Sequence, residues 1–103
     1  MTENRYQRDL IRKLRVMLPG CVIIKNDAGY QQGMLDLTIF FGDRWAMLEV
    51  KRDEGAPEQP NQRYFVEKLN AMSFAAFIYP ENEAEVLIAL QLALKVPGRA
   101  RVS

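Results

Sequence analysis

Two apolar runs, Leu35 to Phe41 and Arg44 to Lys51, are separated only by Gly42-Asp43, and a glycine-led two-residue connection signals a tight antiparallel hairpin with a type II′ turn. Such a turn fixes the register: Phe41 faces Arg44, Ile39 faces Ala46 and, by the same count, Asp36 faces Glu49. Two carboxylates are therefore expected at opposed positions with Cβ atoms ~4.5–5.5 Å apart, where like charges destabilise a sheet. A cation between them would remove the conflict. Period-two alternation puts Asp36, Thr38, Phe40, Trp45, Met47, Glu49 and Lys51 on one face, and Leu37, Ile39, Phe41, Ala46, Leu48 and Val50 on the other. Both faces are mostly apolar, so both are expected to be covered. Asp36, Glu49 and Lys51 then emerge together at one end of a covered face, where ionised groups are costly unless paired or metal-bound.

The remaining elements follow from periodicity and turn residues. From Glu3 to Leu18, Tyr6, Leu10, Leu14 and Met17 recur at helical spacing, with Arg5, Arg8, Arg12 and Arg15 elsewhere around the turn. Pro19-Gly20 ends that helix, Cys21 to Ile24 reads as a strand, and Asn26-Asp27-Ala28-Gly29 as the loop after it. A charged, Pro- and Gly-containing loop from Arg52 to Asn61 precedes a helix that begins near Gln62 and carries Phe65, Leu69 and Met72 on one face. Phe74 to Tyr79 reads as a strand covered on both faces. A last helix is expected after Pro80, with Asn82 as N-cap and Glu85 completing a capping box. The predicted order is α-β-β-β-α-β-α: an α/β fold with a mixed four-stranded sheet flanked by helices. Residues 1–94 would form one domain and residues 95–103, with Pro97, Gly98, Arg99 and Arg101, a frayed tail.

Composition narrows the chemistry. With 103 residues, 49 % of them apolar, the chain can bury one core. Histidine is absent and Cys21 is the only cysteine, so histidine bases, histidine-dependent hydrolases and multi-cysteine zinc clusters are excluded. The lone cysteine suits a reducing compartment, and neither a signal segment nor an apolar run long enough to span a membrane is evident, so an intracellular protein without membrane or organic cofactor is expected. Residues 1–52 carry nine Lys/Arg against six Asp/Glu, residues 53–103 five against seven. The first half is mildly basic, as a nucleic-acid-binding face would be, and also as an ordinary solvated surface can be.

Two further polar residues fall on apolar stripes. Glu3 lies in the middle of the stripe of the first helix, and Gln62 on the Phe65-Leu69-Met72 stripe of the second. Each also has a plain structural explanation: a first-turn acid favoured by the helix dipole, and a buried amide satisfied by its neighbours. Lys51 with the two acids could likewise be a buried ion-pair network. Taken together, a carboxylate pair, a lysine and a third acid suffice for phosphodiester hydrolysis with a hard divalent cation, which takes oxygen ligands and offsets the charge developing at phosphorus.

Asp36 followed by Glu49-Val50-Lys51 on the next strand resembles the Asp…(Asp/Glu)-x-Lys signature of the PD-(D/E)XK nuclease superfamily, of restriction-endonuclease-like fold. The wider pattern, Glu3, Gly33-Met34-Leu35-Asp36-Leu37, Leu48-Glu49-Val50-Lys51 and Gln62 opening a helix after a Pro-rich loop, resembles the VRR-NUC branch and small phage-encoded Holliday junction resolvases from about residue 3 to about residue 90. Family members often carry proline before the aspartate, where Leu35 stands here. The resemblance implies Mg²⁺, replaceable by Mn²⁺, on Asp36, Glu49 and the carbonyl of Val50. It further implies that Lys51 acts on the attacking water, that Glu3 holds a second metal or one of its waters, and that Gln62 orients Lys51 or the scissile phosphate. Lys25, Tyr30, Gln31, Gln32 and Arg52, on loops or strand ends beside that site, are candidate DNA contacts. The function so implied is a Mg²⁺-dependent, structure-specific DNA endonuclease, a resolvase of four-way junctions in the host cytoplasm. The alternatives are a nuclease for other repair or packaging intermediates and a catalytically silent DNA-binding module of the same fold. Val86, Leu87, Ile88, Leu90, Leu92 and Leu94 point around nearly the whole last helix, which must then be covered on more than one side, so a homodimer is expected.

Overall fold

The computed structural model describes residues 1–27 and 29–95; the loop position Ala28 and the expected tail with Pro97, Gly98, Arg99 and Arg101 lie outside the described residues. The elements are α1 (Glu3–Met17), β1 (Val22–Lys25), β2 (Leu37–Phe41), β3 (Arg44–Val50), α2 (Gln62–Met72), β4 (Phe74–Ile78) and α3 (Glu83–Lys95). The strands form one mixed sheet in the order β1-β2-β3-β4, antiparallel except for the parallel β3–β4 pair that α2 connects. Among the described residues, no helix is long and apolar enough to cross a membrane.

The hairpin turn has the predicted geometry. Gly42 takes a positive φ of 62° while Asp43 does not, as a type II′ turn requires. The register runs from Phe41↔Arg44 through Ile39↔Ala46 to Leu37↔Leu48. It sends Leu37, Ile39, Ala46, Leu48 and Val50 into a core shared with Leu10 and Leu14 of α1 and with Val86, Leu87, Leu90 and Leu94 of α3. Met47 points the other way, into a smaller cluster with Leu35, Val66 and Ala75, against which Trp45, Phe65 and Leu69 pack.

Cover on that second face is uneven. A helix is ~10 Å across and strands lie ~4.8 Å apart, so α2 alone shields about two strands, β3 and β4. Val22, Ile24 and Phe40 on β1 and β2 stay exposed, which corrects the expectation of a fully covered face. Within α2 the buried positions are Gln62 and Val66, while Met72 is 65 % exposed because the last turn runs past the packed surface. Asn82 is also used differently from the expected capping box. Its side chain accepts from the Tyr79 N–H (2.9 Å) and donates to the Phe77 carbonyl (3.1 Å), tying the end of β4 to the start of α3, and Glu85 is exposed. At the other end of the chain Thr2 caps α1, accepting from the Arg5 N–H.

Candidate active site

One end of the sheet brings four polar side chains, Asp36, Glu49, Lys51 and Gln62, to the same cleft. Asp36 sits one residue before the first paired residue of β2, opposite Glu49 by continuation of the register, and its Oδ2 accepts from the Val50 N–H at 2.8 Å. In an extended strand a residue's N–H and C=O point to the same edge, so the Val50 carbonyl is turned toward Asp36 as well. Asn26 steadies this stretch from β1's side. Its N–H donates to the Asp36 carbonyl (2.7 Å) and its Nδ2 to the Leu35 carbonyl and to Thr38 Oγ1 (both 2.9 Å).

Glu49 and Lys51 share one face of the chain leaving β3 and are 3 % and 7 % exposed. Gln62, first residue of α2 and also buried, joins them. Its Nε2 donates to Glu49 Oε2 (2.7 Å), and its Oε1 accepts from Lys51 Nζ (2.8 Å) and from the Gln59 N–H (2.8 Å). Lys51 Nζ donates further to the Pro57 carbonyl (3.0 Å) and stands 3.7 Å from Glu49 Oε2. The second carboxylate oxygen, Glu49 Oε1, is buried without a hydrogen-bond partner.

Burial is the main reason that both carboxyls sit above their ordinary pKa. Asp36 is raised by desolvation, which the Val50 N–H partly opposes. Glu49 is pushed up to about 8 by desolvation first and the Asp36 charge second, against the pull of Lys51. A buried pair of this kind holds a proton or a cation.

The four groups line a cleft of about 590 Å³, whose other walls come from the start of α1 and the loop 52–61. Glu3 lines it too but is exposed, because the first turn of α1 reaches beyond the core that its stripe points into. Among the described residues, no three acidic, cysteine or histidine side chains form a cluster able to hold a metal, so Glu3 stands on the rim, apart from the carboxylate pair. Arg52 lines the same cleft and is ion-paired with Asp53 at 3.3 Å. Lys25 is exposed at the end of β1 and close enough for its charge to act on Asp36. Tyr30, Gln31 and Gln32 are exposed on the loop before β2 and do not line the cleft. Asn26, the Pro57 carbonyl and the Gln59 N–H are the site's unforeseen members. Of these only Asn26 carried a sequence signal, as a polar residue between two strands.

Comparison with protein-family models, with curated proteins and with solved structures finds no match for this chain. The functional reading therefore rests on the residues and their arrangement.

Proposed function

We propose that the chain is a Mg²⁺-dependent endonuclease of the PD-(D/E)XK type, VRR-NUC-like, that hydrolyses phosphodiester bonds in branched DNA as a Holliday junction resolvase. The carrying observation is the opposed pair of half-buried Asp36 and buried Glu49 with one Glu49 carboxylate oxygen unmatched, beside a lysine whose position two acceptors fix. The donor set fits a small hard cation: Asp36, Glu49 and the Val50 carbonyl would hold it through oxygen, with open cleft beside them for the waters that Mg²⁺ retains. When bound, the cation supplies Lewis-acid polarisation of the phosphate and compensation of developing negative charge.

The chain's own groups do the positioning. Gln62 bridges Glu49 and Lys51, holding the carboxylate and the amine at fixed separation. Lys51 presents its remaining donor capacity to the cleft, where it can orient the attacking water or a phosphate oxygen. Glu3, on the cleft wall, would hold a second metal or one of its waters; Arg52 meets the substrate as it enters, and Lys25 at the end of β1 with Tyr30, Gln31 and Gln32 on the following loop extend the contact surface. A homodimer fits the exposed Ile88 and Leu92 on α3, an apolar strip that a second copy would cover, and two sites related by two-fold symmetry suit paired nicks across a junction.

Purified protein offered four-way junction, flap, nicked and linear duplex side by side tests the reading. Cleavage of the junction in preference to linear duplex, present with Mg²⁺ and lost with EDTA, is the expected result. Equal rates on all four would leave a nuclease but not a resolvase, and no cleavage of any would remove both.

A further inference from the structure

The face of α1 turned away from the sheet carries a stripe that the cleft does not account for. At 100° per residue Arg5, Arg8, Arg12 and Arg15 fall within one narrow sector, directly opposite the buried Tyr6, Leu10 and Leu14. All four are exposed. Among the described residues a single ion pair touches the stripe, Arg12 with Asp9 at 3.7 Å, and its partners are largely solvated, so it offsets little of the positive field. The helix holds five Lys/Arg against two Asp/Glu, whereas the remaining chain holds nine against eleven. The net excess of positive charge thus lies on α1.

We propose that this arginine stripe is a metal-independent docking surface for the phosphate backbone of a nucleic-acid duplex. Ten residues of helix carry the stripe ~15 Å along its axis, an arginine every ~5 Å, against a strand that offers one phosphate per ~3.4 Å of duplex. Four guanidinium forks can therefore reach successive phosphates of one strand without distortion of the duplex, and the bidentate geometry of arginine suits that ligand. The start of α1 walls the cleft; a second depression of about 520 Å³, which shares Met1 with it, has a mixed lining in which Arg12 stands beside Asp9 and Lys13 pairs with Glu83. Nucleic acid as the polyanion rests on the nuclease reading; the excess charge and its alignment do not.

The experiment compares the full chain with a variant carrying Arg5→Gln, Arg8→Gln, Arg12→Gln and Arg15→Gln, and with the corresponding four Arg→Lys changes. Binding to a short fluorescent duplex is titrated in EDTA at several salt concentrations, so that no cleavage intervenes, and circular dichroism confirms the helix content of each protein. In the glutamine variant, affinity is expected to fall at least ~10-fold, and the slope of log K against log salt to shrink by roughly 2–4, about 0.9 for each phosphate no longer neutralised. The lysine variant should keep most of the slope. Equal affinity and slope in wild type and glutamine variant would overturn the proposal. So would arginine-dependent binding to anionic lipid vesicles without binding to duplex. If binding depends on the stripe but the wild type cleaves nothing with Mg²⁺, the nuclease reading fails and the docking surface stands.

Discussion

At the scale of single residues, burial and the opposed Asp36 charge hold Glu49 above its ordinary pKa, and a pH dependence of stability follows. Glu49 has an ordinary pKa of 4.5 and is held at about 8 in the folded chain, so between these values the native state binds more protons than the unfolded state. Stability must then fall as pH rises through that window, by at most ~1.4 kcal/mol per pH unit for one proton, and level off above it. Urea unfolding in EDTA from pH 5 to pH 8 should show this decline, and Glu49→Gln should flatten it while abolishing cleavage. A wild-type stability that rises over the same range would contradict the assignment. Lys51→Met makes the opposite demand. It leaves Gln62 Oε1 and the Pro57 carbonyl without this donor, so unfolding should show a loss of about 1–3 kcal/mol together with loss of cleavage. The opposition of Asp36 and Glu49 was legible in the sequence because a two-residue turn leaves a single register. The partners of Lys51 were not, since the Pro57 carbonyl and the Gln59 N–H are backbone groups of a loop and any side chain there could have supplied them.

Between elements, the loop leading to β2 and the loop leading to α2 hold each other in place. Gly33 has a φ of 89°, and a Cβ there would lie 2.6 Å from Asn61 Cβ and 2.8 Å from the Pro60 carbonyl oxygen. Asn61 is itself left-handed, with a φ of 71°, and it immediately precedes Gln62. Gly33→Ala would therefore push apart the segments that deliver Asp36 and Gln62. A cost of roughly 1–3 kcal/mol in thermal unfolding and at least a ~10-fold drop in cleavage are expected; unchanged activity would show that the two loops move independently. Helix and strand positions were legible because their apolar periods of 3.6 and 2 are strong. Met72 was misjudged because periodicity says which side of an element is apolar, but not where the neighbouring surface stops; Asn82 does stand directly before α3, but its side chain turns back to β4 instead of forming the capping box.

For the whole molecule, the uneven cover matters most. Residues 1–52 and 53–103 differ in charge balance, and the structure shows that α1 holds most of the basic excess on its outer face. α3 has buried Val86, Leu87, Leu90 and Leu94, while Ile88 and Leu92 are 60 % and 62 % exposed. A homodimer closed over that strip should revert to monomer in an Ile88→Lys, Leu92→Lys variant, read as a halved mass by light scattering during gel filtration. A monomeric wild type at micromolar concentration would count against the dimer without touching the site. The sequence could show that α3 is apolar on several sides, not which side the rest of the chain would leave open. The proposed dependence on a divalent cation is also a property of the whole molecule. Mn²⁺ should replace Mg²⁺, and Ca²⁺ should support junction binding with little cutting, because its looser coordination holds the reacting groups less strictly. The most direct measurement is the cleavage rate of a four-way junction against Mg²⁺ concentration, for wild type and Glu49→Gln prepared alike. The wild type should cut with saturating dependence on Mg²⁺ and stop in EDTA, and the variant should not cut at any concentration. Cleavage that persists in EDTA, or that Glu49→Gln retains at near wild-type rate, would contradict a metal-dependent site at Asp36 and Glu49.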